Sequence, residues 1–117
     1  MSASNMKAYS KLEHLFYRVY PALRNFPRHT HTSLCIRITD SFTEGLFAMN
    51  LANSVKSKRL SYLQQAEAHI HNLILMVRFS KIQKFISKGF YEQIDLSLTE
   101  VLKLTKGWIK SVTTSKS

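Results

Sequence analysis

Seven carboxylates, five histidines and one cysteine are the side chains of this 117-residue sequence best suited to acid–base, metal or nucleophilic chemistry. The acids are Glu13, Asp40, Glu44, Glu67, Glu92, Asp95 and Glu100. A di-iron bundle requires Glu-x-x-His pairs on facing helices, and no such pair occurs. His29-x-His31 and His69-x-His71 step by two, which turns the two rings to opposite sides of a helix. Neither pair can share a metal without unwinding, so surface or partly buried histidines are the plainer reading. Cys35 falls on an apolar helix face and reads as a buried, inert thiol. No Gly-rich phosphate loop is present. The expectation is a protein that is not an enzyme and needs no cofactor or metal.

The cations carry more information. Lys and Arg total 17 against 7 acids, a formal charge of +10. Such a charge repels itself unless something negative lies nearby. Nucleic acid is the first partner to expect, an anionic membrane surface the second, and a merely soluble basic protein the bland alternative. Arg78, Lys81, Lys84 and Lys88 follow one another into a turn, and Lys103, Lys106 and Lys110 step by three and four down a helix. These seven are the candidate nucleic-acid-binding residues, with Lys56, Lys58 and Arg59 nearby in an antiparallel arrangement. Contact with phosphates would be steeply salt-dependent; a solvated helix surface is the competing reading. Arg78 has a further alternative, because counting rises from the turn sets it level with Glu100 and suggests a structural ion pair. Tyr91 and Trp108 have rings that can stack on bases, but Trp108 falls on an apolar seam, which favours core packing.

Helices must position these groups, since only 3 Gly and 2 Pro interrupt the chain. The first helix is predicted from about Lys7 to Asn25, with Leu12, Phe16, Val19, Leu23 and Phe26 on one face and a kink or break at Pro21. Pro27 reads as the start of a second helix, which runs to about Ser54 with Leu34, Ile38, Phe42, Gly45, Met49 and Ala52 as its stripe. Gly45 costs about 1 kcal/mol relative to Ala in mid-helix, which a close helix approach or a local bend would explain. After a basic connection at 55–59, a third helix is predicted from about Leu60 to Phe85. Its stripe is Leu60, Leu63, Ala66, Ile70, Leu73 and Val77, and Ile74, Leu75 and Met76 fill the other faces. A helix apolar all round is buried all round, so the chain is expected to oligomerise. Ser87 is a plausible N-cap for a fourth helix to about Val112. In it Ile94, Leu98, Val101, Thr105, Trp108 and Val112 alternate by four and three, the spacing of a bundle seam.

The predicted architecture is all-α: an antiparallel four-helix bundle over residues 7–112, with frayed ends at 1–6 and 113–117. No apolar run approaches the roughly 18 residues that span a bilayer. The first residues show no apolar signal core, and one cysteine suits a reducing compartment, so a cytoplasmic protein without a membrane partner is expected.

The order of several features resembles a known family. They are Phe26-Pro27-Arg28 after helix one, Ala52-Asn53 closing helix two, Lys58-Arg59-Leu60, Arg78 in an apolar helix three, Ile86-Ser87 before Tyr91, Glu100, and Gly107-Trp108-Ile109-Lys110. The set, over residues 16–111, is similar to the four-helix bundles that include the accessory variability determinant of diversity-generating retroelements and proteins encoded in intervening sequences of bacterial 23S ribosomal RNA genes. The chain departs from the family at Lys106-Gly107, where a Gly pair is common, and at Val101-Leu102-Lys103, where Ile-Gly-Arg is common. The resemblance implies a homopentameric barrel of bacterial or phage origin. In the retroelement branch it implies binding to a reverse transcriptase and to template RNA or an RNA–DNA hybrid, in support of mutagenic cDNA synthesis. In the other branch it implies a structural or RNA-binding role.

Overall fold

Four long helices run up, down, up and down in the computed structural model, which describes residues 3–115 and the side chains of residues 7–114. They are α1 (Ala3–Ala22), α2 (Leu34–Ser54), α3 (Arg59–Ile82) and α4 (Lys88–Ser115). Among the described residues there is no strand, and the bundle measures 49 × 25 × 19 Å. The expected frayed ends fall partly outside the described residues; within them, helical backbone reaches Ala3 and Ser115.

The predicted stripes form the core. Leu12, Ile38, Phe42, Met49, Leu63, Ile70, Leu73, Ile94, Leu98 and Val101 are essentially sealed from solvent. Thr105 and Ser80 are buried too, and each hydroxyl donates to the carbonyl four residues earlier, Val101 and Met76. Gly45 sits where α2 crosses α3: a Cβ built there would lie 3.4 Å from His69 Cβ and 3.5 Å from Leu12 Cδ2. Both are ordinary contact distances, so the packing leaves room for a methyl group but crowds a larger side chain.

The helix ends depart from the expected boundaries for local reasons. Pro21 is accommodated in the last turn of α1, and Leu23–Asn25 continue as a 3₁₀ turn. Pro27 does not open α2. Thr30 donates its hydroxyl to the Pro27 carbonyl, and a His31 ring nitrogen lies 2.9 Å from the Phe26 carbonyl. Those contacts hold Arg28–Thr30 in a second 3₁₀ turn and delay α2 to Leu34. The third helix stops at Ile82, not Phe85. Lys84 takes the left-handed region at φ 64°, Lys84 N–H donates to the Lys81 carbonyl, and Phe85 N–H reaches back to Ser80. This is a Schellman cap; its apolar contact is the edge-to-face packing of Phe85 on Phe79. Ser87 then caps α4, accepting the Phe90 N–H at 3.1 Å.

Leu75 is 60% exposed and does not enter the core of the single bundle. With Phe79 and Ile82 it forms a stripe on the side of α3 opposite the core.

Candidate nucleic-acid interface

Side-chain contacts fix the heights of α3 and α4 against each other. Lys106 pairs with Glu67 at 2.7 Å, and the Lys81 ammonium lies over the Tyr91 ring, 5.5 Å from its centroid. In this antiparallel register Arg78 stands level with about Asp95, not with Glu100. Glu100 pairs instead with Lys11 of α1 at 3.2 Å. The expected Arg78–Glu100 pair is therefore absent: Arg78 lies four residues before the end of α3 and Glu100 twelve after the start of α4, so the two stand at different heights. Arg78 is exposed.

The seven candidate cations are all exposed, but they form two groups. Arg78, Lys81, Lys84 and Lys88 lie around the α3–α4 turn. Lys103, Lys106 and Lys110 lie on the outer face of α4, opposite its buried positions Ile94, Leu98, Val101, Thr105 and Trp108. At 1.5 Å per residue, Lys103 is about 22 Å along the helix from Lys88. Glu92, Asp95 and the exposed Leu96 occupy α4 between the groups. Of the neighbouring connection, Arg59 is engaged structurally: its guanidinium donates to the carbonyls of Ala52 at 2.6 Å and Asn53 at 3.1 Å, closing the end of α2. Lys56 and Lys58 remain exposed.

Trp108 is 4% exposed and packs in the core, so it offers no face to a base. Its indole nitrogen is buried without a hydrogen-bond partner among the described residues, as is Nδ1 of His69. Tyr91 is half-buried beneath Lys81.

Sequence reasoning missed the arginines of the first connection. Phe26 packs against Phe85 with ring centroids 5.6 Å apart, which brings the turns of residues 23–31 to the α3–α4 turn. Arg24 and Arg28 flank Phe26, and both are exposed. The signal available in the sequence was the absence of any acid from residues 14–39 and 68–91, the two stretches that meet at this end. Two helix N-termini and two C-termini meet there, so the helix dipoles largely cancel and the side chains set the sign of the field.

His69 faces Glu44 at 3.6 Å. Among the described residues, no group of three or more His, Cys, Asp or Glu is placed to hold a metal. Cys35 is buried, with Sγ 3.7 Å from Thr30 Oγ1. A cleft of about 510 Å³ opens between the α1 end and α2, lined by Tyr20, Leu23, Arg24, Cys35, Ile36 and Asp40 among others. Tyr17 donates its hydroxyl to Glu13 at 2.9 Å, and that bond to a carboxylate pushes the phenol's pKa above its ordinary value. Among the described residues, no helix is long and apolar enough to cross a membrane.

A family model described as bAvd-like matches residues 6–112. The chain belongs to the bAvd-like family. The bundle is also similar to a crystal structure from Bacteroides thetaiotaomicron VPI-5482, a protein of unknown function from the S23 ribosomal protein family. The two share 18% identity and a TM-score of 0.80, over 92% of this chain and 98% of that one. No curated protein sequence matches significantly. The two family names are those of the expected resemblance, and the bAvd-like bundle is confirmed as all-α with four long helices.

Proposed function

We propose that this bAvd-like protein is a non-catalytic accessory subunit that assembles as a ring, most simply a pentamer. In this reading it holds a reverse transcriptase and its template RNA together during mutagenic cDNA synthesis. Family membership supports the assignment, and the formal charge of +10 supports a polyanionic partner.

The observation that carries the ring is a pair of unlike apolar patches on different sides of the bundle. Tyr17 and Tyr20 of α1, with Ile36 and Phe47 of α2, are exposed on the α1–α2 side. Leu75, Phe79 and Ile82 are exposed on the outer side of α3. One self-complementary patch would favour a two-fold dimer, whereas two different patches that fit each other make a head-to-tail contact, which gives a ring where the rotation between neighbours closes. The number five comes from the family resemblance. The expected result is that light scattering at micromolar concentration gives a pentamer, and that Phe79→Glu gives a folded monomer. On this reading a reverse transcriptase is encoded beside it, and co-expression with that enzyme should recover the ring, the polymerase and template RNA in one complex. A monomeric parent protein sinks the ring; a ring that never retains the polymerase sinks the retroelement role. The family of the structural neighbour favours, as a second reading, a protein of ribosomal RNA intervening sequences. A ribosomal RNA gene around the coding sequence, in place of a neighbouring reverse transcriptase, would identify it.

A further inference from the structure

We infer that RNA phosphates bind this protein at the end of the bundle where the α1–α2 connection meets the α3–α4 turn, through Arg28, Lys84 and Lys88 with Arg24 and Lys81 beside them. The Lys103–Lys106–Lys110 flank of α4 is not the phosphate surface. This rests on the nucleic-acid reading above and makes it specific.

Three observations separate the two surfaces. The first is the local balance of charge. The end is built from the acid-free stretches 14–39 and 68–91, joined by the Phe26–Phe85 contact. The nearest acids along the chain are Asp40 and Glu92, in α2 and α4; Asp40 shares the α1–α2 cleft with Arg24, and Arg28, Lys84 and Lys88 are exposed and outside the ion pairs of the described residues. On the flank, Lys106 is already engaged by Glu67.

The second is proximity. Arg24, Arg28, Lys84 and Lys88 each lie within three residues of one of the two touching rings. Chain reach holds their backbones within about 30 Å of one another, a span of a few screening lengths. Arg28 adds a planar fork that can grip a phosphate through two bonds, where lysine acts as a point charge.

The third is the residue at the left-handed position. Glycine is the usual occupant of that site in a Schellman cap, because a side chain is disfavoured there. A lysine holds it instead, with φ 64°, and it projects a charge at the apex of the turn. Its exposed side chain makes no hydrogen bond or ion pair among the described residues, so the charge is free to meet a phosphate.

The test compares two variants by anisotropy with a labelled single-stranded RNA at about 50 mM and about 200 mM salt. One is Arg28→Glu/Lys84→Gly/Lys88→Glu. The other, Lys103→Glu/Lys106→Glu/Lys110→Glu, removes slightly more net charge and so controls for long-range repulsion. The end variant should bind about tenfold or more weakly at low salt, with its salt slope reduced by roughly 0.7 for each phosphate no longer neutralised. The flank variant should stay within about threefold of the parent. Lys84→Gly alone relaxes the backbone, so any weaker binding it shows cannot come from unfolding; about a threefold decrease is expected. A parent that binds no RNA at low salt overturns the nucleic-acid reading and this inference with it. A parent that binds, with the flank variant weakened more than the end variant, overturns this inference alone.

Discussion

The α2–α3 seam and the α1–α2 seam are built from opposite materials. At the first, Gly45 lets α2 approach until His69 Cβ lies at ordinary contact distance from the place a side chain would start. At the second, Phe16 stacks on Phe42 with centroids 5.2 Å apart, and Tyr9 reaches Asn50 through a long hydrogen bond of 3.4 Å. Rings act as spacers. They stand between the helices, and a cleft of about 510 Å³ opens between the end of α1 and α2. A bundle can therefore be tight along one edge and open along the next, and the open edge is the one with exposed Tyr17, Tyr20 and Ile36. Close-packed seams give stability; ring-spaced seams leave surface that a second molecule can cover.

Removing a spacer should have the largest effect. Phe42 is completely buried, so Phe42→Ala should cost about 3–5 kcal/mol, the transfer of the ring plus the cavity it leaves. Urea unfolding followed by circular dichroism reads this; a loss under about 1 kcal/mol would mean α1 simply collapses onto α2 and the rings are not spacers.

The tight seam should fail in the other direction. Gly45→Leu should destabilise by about 2–3 kcal/mol because neither His69 nor Leu12 has room to yield. Gly45→Ala places its Cβ at 3.4–3.5 Å from its neighbours, an ordinary contact, and the gain of about 1 kcal/mol in helix propensity offsets what little strain remains. Thermal melts of the two variants should differ clearly. If both melt like the parent, the closeness of α2 and α3 is not what selects glycine.

Filling the open seam gives the smallest effect, and a favourable one. Thr39 lines the cleft, half-buried, with its hydroxyl turned back to the Cys35 carbonyl. Thr39→Leu should raise stability by about 0.5–1 kcal/mol by burying apolar surface in space already present. A decrease would show that the cleft is less open to an added side chain than its volume implies.

Most of the bundle was legible because its stripes obey one period. Every buried position of α4 from Ile94 to Trp108 lies on the predicted four-three seam. The misreadings fall where side chains, not periodicity, decide the backbone. Nothing in the order of residues 27–33 marks that Thr30 and His31 bind carbonyls behind them and postpone α2. Nothing marks Lys84 as left-handed, because the cue for that conformation is glycine. Those few residues moved the helix boundaries. The candidate site was legible only in part. The lysines are neighbours in sequence, whereas Arg24 and Arg28 join them through a contact between rings 59 positions apart, Phe26 on Phe85.

The up-down-up-down order also sets when each part of the molecule forms. α2 meets α3 and α3 meets α4 across connections of a few residues, so these pairs dock with little loss of chain entropy, and such local topologies fold fast. The pairing of α1 with α4 is different. Its bridges, Lys11 to Glu100 and Arg18 to Gln93, join the two extremes of the chain and require the longest loop to close. α1 can meet α2 across residues 23–33, but its seat against α4 is expected to close last. The same reasoning makes that seat the first to open.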